Sequence, residues 1–218
     1  MLGAALRAFH DTFSPAMRTV LWKALGLTVI LFVVVMVAVQ VALSMLVGFP
    51  WPWVDTIIAV AAGLGLFAGL FFLMAPVTAM FAGLFLDDIA DLIERRDYPR
   101  EPPGTPLPTL QAVFSGVRFG LFVLAVYLAL LPTLLLGIGA LAMVLANAYL
   151  LGREYFEMVA MRHMPADEAR ALRKENAPRI LAAGFIPALL AVVPLVNIIT
   201  PLFSTVYFVH IFKLVRKP

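Results

Sequence analysis

The chain has 218 residues, of which 63% are hydrophobic and only 13% charged, and its mean hydropathy is +0.99. Soluble domains carry about 25% charged residues, so the composition excludes that class and reads as an integral membrane protein, all-α and one domain over residues 1–218. The absence of cysteine excludes disulfides, thiolate metal sites and cysteine nucleophiles, and a net charge of only +3 gives no case for nucleic-acid binding.

Residues 1–13 are not expected to be a signal peptide, because Arg7 and Asp11 interrupt the apolar run. Leu2, Leu6, Phe9 and Phe13 recur at helical spacing, which predicts an amphipathic helix lying in the membrane interface. Ser14-Pro15 then predicts a fresh helix start, with Arg18, Trp22 and Lys23 as interfacial anchors.

Residues 24–47 are 24 uncharged positions, enough to span about 30 Å of hydrocarbon. The 48–55 segment, with Trp51, Trp53 and Asp55, reads as the far-side turn. Residues 56–86 give 31 further uncharged positions, with a kink expected at Pro76. Gly65 and Gly69 have the small-xxx-small spacing that lets two helices approach closely. The helix is expected to continue past the bilayer through Asp87, Asp88, Asp91 and Glu94, keeping Ile89, Leu92 and Ile93 on one face. These acidic residues lack the order and glycine of a calcium loop and read as a solvated face. Residues 97–108 are a proline-rich loop, after which Thr109 caps another helix.

All sixteen basic residues fall in four blocks, and none lies in the 48–55 turn. The positive-inside rule places every block, and both termini, in the cytoplasm. Only 34 uncharged residues separate Arg118 from Arg153, and 33 separate Arg179 from Lys213. Each stretch must enter and return, which leaves arms of about 11–16 residues, or roughly 17–24 Å at 1.5 Å per residue. That is short of a full crossing. The sequence therefore predicts two long transmembrane helices plus two half-penetrating helical hairpins. The second hairpin turns at Pro194, Asn197, Thr200 and Pro201, where Asn197 and Thr200 can satisfy exposed backbone groups. Four ordinary helices in a thinned bilayer are the alternative. The run from Met164-Pro165 to Lys174 is expected to start a short soluble helix with Asp167 and Glu168 early and Arg170, Arg173 and Lys174 late.

A polar stripe ends the first hairpin. Tyr149, Arg153 and Glu157 share an i, i+4 row, with Asn147 and Glu154 beside them. Polar groups at a membrane edge are costly, so the stripe is expected to turn inward, with Arg153 and Glu157 paired. An ordinary wet helix end is the plainer reading. Arg162, farther into the cytoplasm, is expected to matter little.

No catalytic signature occurs. His10, His163 and His210 are isolated in sequence, and there is no nucleophile elbow or phosphate loop. Neither an enzyme, a cofactor nor a metal site is expected.

Four segments carry a family resemblance: Ser14 to Arg18; Phe85 to Glu94; Asn147 to Phe156; and Val193 to Pro201. Together they resemble the CysZ sulfate-permease family and its etoposide-induced eukaryotic relatives. The resemblance implies an inner-membrane, multi-pass homo-oligomer with two long spanning helices, two half-penetrating hairpins and sulfate uptake that feeds cysteine synthesis. The family's sulfate motif, Gly-Leu-Arg-Arg, corresponds here to Ala16-Met17-Arg18-Thr19, without the glycine and the second arginine. Arg18 and Thr19, at a helix start, join Arg153 as candidate anion ligands. Two functions follow: a channel-like permease for sulfate or another small inorganic anion, or a membrane scaffold that touches lipid and carries no solute. A permease should turn Arg18, Arg118 or Arg153 inward, and a scaffold should leave them exposed.

Overall fold

Every regular element among the described residues of the computed structural model is a helix. Those residues are 2–46, 56–57, 60–61, 63–67, 85–106, 108, 122, 125–126, 128–129, 132 and 139–216. Eight helices have bounds within them: α1 (Leu2–Thr12), α2 (Pro15–Leu46), α3 (Leu86–Asp97), α4 (Gly139–Met161), α5 (Ala166–Glu175), α6 (Ala177–Val192), α7 (Pro194–Asn197) and α8 (Thr200–Arg216). The 48–55 turn, Gly69, Pro76, Thr109, Arg118 and the middle of the first hairpin turn lie outside the described residues.

α1 is amphipathic as its spacing predicts. Ala4 and Ala8 are buried, while Leu2, Leu6 and Phe9 are exposed, as is Phe13 just beyond the helix end. α2 begins at Pro15, whose missing N–H costs nothing in a first turn. Its segment Pro15–Ala42 is long and apolar enough to cross a bilayer, with a mean hydropathy of 2.7. Val29, Ile30, Val33, Val34 and Val37 lie exposed along it, as side chains facing lipid would.

α8 is the centre of the core. From Thr200 to Lys213 every residue is buried, which matches a helix that is apolar on nearly all sides. α1, α3, α4 and α6 surround it. Tyr155 stacks on Phe208 at 6.2 Å, and Phe156 meets Phe212 edge-on at 6.1 Å. α3 adds Ile89 and Ile93, whereas Leu92 stays largely exposed.

The helix is interrupted between α6 and α8, close to Pro194. Val193 is extended (φ −90°, ψ 114°) and ends α6; the single turn α7 and Thr200 follow. The Thr200 hydroxyl donates to Val196 O at 3.3 Å, and the Asn197 N–H donates to Val193 O at 2.8 Å. α6 and α4 then pack against one another almost backbone to backbone. A Cβ at Gly152 would sit 2.8 Å from Ile180 O, and one at Gly184 would collide with Ala148 O. Close approach of this kind is how helices associate where apolar transfer contributes nothing. The small-residue crossing visible here is thus Ala148–Gly152 against Gly184. A Cβ at Gly65 would meet open space among the described residues.

Candidate functional site

The second half of α4 and the last turn of α5 place two arginines around one carboxylate. Glu157, on α4, accepts from Arg173 Nε at 2.6 Å. Arg153, one turn earlier, lies 3.7 Å from the same Glu157 oxygen. The expected Arg153–Glu157 pair therefore forms, but Arg173, which sequence spacing does not connect to it, holds the carboxylate more closely. Arg153 is left with an unspent donor: its Nε is buried and has no hydrogen-bond partner among the described residues. Its guanidinium carbon lies 4.9 Å from the centre of the Phe122 ring, a cation–π contact that holds the group in place. Glu154 and Asn147 are half-buried nearby in sequence, but Tyr149 is 44% exposed. Along this row Glu157 is buried and Arg153 half-buried, while Tyr149, nearer the middle of α4, is exposed among the described residues.

Arg18 and Thr19 are both exposed on the first turn of α2. The Thr19 hydroxyl donates to Pro15 O at 3.1 Å, within its own helix. The structure does not bring these two residues and Arg153 into one site among the described contacts.

A second polar centre is almost wholly buried, and sequence reading missed it. Arg162, at the loop that ends α4, is 3% exposed. Its guanidinium donates to Asp87 Oδ1 at 2.6 Å, to Glu94 Oε2 at 3.4 Å and to Gly104 O at 3.3 Å. His163 Nε2 lies 2.7 Å from Glu94 Oε1, and its ring stacks on Phe212 at 5.1 Å. The Gly104 N–H donates to Glu94 Oε2 at 2.8 Å. Burial alone would raise the Glu94 carboxyl. The His163 hydrogen bond, the Gly104 N–H and the charges of His163 and Arg162 outweigh it and hold the group at about 2. Gly104 is needed for contact, since a Cβ there would sit 2.6 Å from Arg162 Cβ.

This centre refines the reading of the α3 acids. Glu94 is buried, whereas Asp88 is exposed and Asp87 and Asp91 keep 39% and 35% of their side chains exposed; Asp87, Asp91 and Glu94 share the i, i+4, i+7 row that meets Arg162. Arg162 is itself a buried structural member of the centre. The clue in the sequence was that same row, which required a cation from elsewhere in the fold. A third cluster joins α1, α3 and α8: Arg96 bridges Asp11 at 2.5 Å and Asp97 at 2.7 Å, and Tyr98 meets His210 Nδ1 at 2.9 Å.

The described residues form an all-helical chain with a buried core and one helix long and apolar enough to cross a membrane. Residues 4–201 match the family described as Sulfate transporter CysZ/Etoposide-induced protein 2.4, and the chain belongs to that family. No curated protein matches the chain. Membership gives the resemblance read from the four segments its footing: the protein is of a transporter family, and a membrane location accords with both the family and α2.

Proposed function

We propose that the protein is a channel-like permease for sulfate or another small inorganic anion, not an enzyme, and that it lies in the inner membrane as a multi-pass homo-oligomer with both termini cytoplasmic. The observation that carries this reading is Arg153. It is a half-buried guanidinium held by an aromatic ring, with a buried donor free and its nearest carboxylate engaged by Arg173. An anion arriving there meets a positive group in a site of reduced dielectric, while Glu157 keeps the hold weak enough for release. Arg18 and Thr19, exposed at a helix start, serve as an outer attracting point.

The architecture we infer has two long spanning helices and two half-penetrating hairpins in a single domain. α6 supports it: its 16 residues reach about 24 Å, less than the hydrocarbon thickness. The exposure of Arg18 and Trp22 suits a second reading, a scaffold that binds lipid headgroups without moving a solute. Sulfate uptake into proteoliposomes separates the two. Uptake that falls about tenfold or more in Arg153→Ala, with the protein still folded, supports the permease. Wild-type protein that takes up no sulfate, chloride or phosphate defeats it and leaves the scaffold.

A further inference from the structure

We propose that Asp11, Asp97 and His210 form a site for a divalent first-row transition-metal ion, which ties the N-terminal helix to the C-terminal one. The three residues come from α1, the last residue of α3, and α8, and each offers one ligand atom within 4.8 Å of the others. Nothing in their sequence spacing joins them, which is why no metal was expected from the sequence.

Two observations beyond the acidic pair point to an ion. First, His210 Nε2 is buried and has no hydrogen-bond partner among the described residues, although the side chain is only 3% exposed. This nitrogen is aimed at the carboxylates, 3.7 Å from Asp97 Oδ2. Second, the opposite ring nitrogen, Nδ1, lies 2.9 Å from the Tyr98 hydroxyl. A hydrogen bond on one imidazole nitrogen that fixes the ring and leaves the other for a ligand is the usual outer-shell arrangement around a metal-bound histidine. An unpaired buried nitrogen is otherwise a net cost to the fold.

The donor set is one imidazole and two carboxylates. That set suits Zn²⁺ and its neighbours in the first transition row, and it suits Mg²⁺ poorly because magnesium prefers oxygen alone. Tetrahedral donors at metal bonds of about 2.0–2.2 Å lie about 3.4 Å apart, so the three ligand atoms must draw in by roughly an ångström. An open cavity of about 560 Å³, lined by Leu6, Arg7, His10, Asp11, Arg96 and Asp97, gives access. His10, which lies 3.7 Å from Asp11 Oδ1, is placed to complete the coordination with a turn of its exposed side chain.

Arg96 is the competitor. Without a metal, its guanidinium bridges Asp11 and Asp97 and balances their charge. Its side chain is 44% exposed, so it can swing into the cavity when an ion takes the carboxylates. Arg96 therefore lowers the affinity of the site and leaves it reversible.

The test uses the full chain in detergent and Co²⁺ as the probe. Visible d–d absorption should grow to one ion per chain and be displaced by Zn²⁺. Asp97→Asn and His210→Gln should each weaken Co²⁺ binding tenfold or more, whereas Asp88→Asn, on the exposed side of α3, should bind as the parent does. Arg96→Gln should bind Co²⁺ several-fold more tightly. That result separates a metal site from a plain ion-pair clasp, in which losing Arg96 only destabilises. If His210→Gln does not fold, Asp97→Asn and Arg96→Gln still decide the matter. No d–d absorption in the parent chain, or equal binding by the parent, Asp97→Asn and Arg96→Gln, overturns the proposal.

Discussion

Arg162 Nη1 lies 2.6 Å from Asp87 Oδ1, and so pins the C-terminal end of α4 to the start of α3 across 75 positions of sequence. The guanidinium has further acceptors in Glu94 and Gly104, and its own side chain is 1% exposed. Removing it takes one charged partner from the buried Glu94, which keeps His163 and the Gly104 N–H. Arg162→Ala is expected to destabilise the protein by about 2–3 kcal/mol, the loss of charge-assisted hydrogen bonds. Arg162→Lys should recover little, because a single ammonium cannot address three separated acceptors at once. Thermal unfolding in detergent measures both variants; a loss under about 1 kcal/mol for Arg162→Ala would show the pairs to be incidental.

Acid should weaken the same centre in a defined range. Glu94 stands at about 2 in the fold against an ordinary 4.5, so its folded carboxyl is depressed. The unfolded chain then binds the proton more readily, and the stabilisation is fully present above about pH 4.5. It fades as the pH falls through that value and is gone below about pH 2. The contribution is on the order of 3 kcal/mol. Glu94→Gln should flatten the stability profile between these two limits. A variant that keeps the parent's acid-dependent loss would place the effect on other carboxylates.

Gly184 admits no side chain. Gly184→Ala would drive a methyl into Ala148 O and toward Gly152, both backbone groups that cannot rotate away. The two helices must separate, at a cost of about 1–3 kcal/mol. Gly65→Leu, by contrast, tests the expected close packing of α-helical residues 63–67 against a neighbour. Unchanged detergent stability and assembly size would make that spacing incidental.

Glu157 moderates the charge around Arg153. Glu157→Gln leaves both Arg153 and Arg173 without a neutralising carboxylate. Sulfate should then half-saturate uptake at lower concentration and leave more slowly, the opposite of the loss expected for Arg153→Ala. Equal, mild effects from the two variants would favour an ordinary wet helix end.

Topology is open to direct labelling. Cysteines introduced near residues 52, 133 and 198 meet an impermeant thiol reagent supplied from outside. Labelling at 52 alone is expected if both hairpins stop within the bilayer. Labelling at 133 and 198 that matches 52 would mean that the hairpins cross completely.

Much of the helix plan was legible because it follows from local rules. Ser14-Pro15 sets the start of α2, Pro194 and Pro201 stand in the first turns of α7 and α8, and Asp167 to Lys174 order the charges of α5. Composition placed the chain in a membrane, and four segments pointed to its family before the match over residues 4–201. Hydropathy and helix signals act over a few residues, so a single sequence carries them openly. Which side chains meet across the bundle is another matter. Arg173 takes Glu157 from Arg153, His163 finds Glu94, and His210 comes to face Asp11 and Asp97, separations of 16 to about 200 positions set by how α8 is enclosed. Glu94 looked like surface because charge alone reports exposure poorly. Only the fold, which packs α3 against α8 and brings the loop after α4 to Glu94, supplies the cation that lets a carboxylate stay buried. The glycine contact between α4 and α6 likewise depended on the partner: Gly152 and Gly184 lie 32 positions apart, and only the fold brings their backbones together.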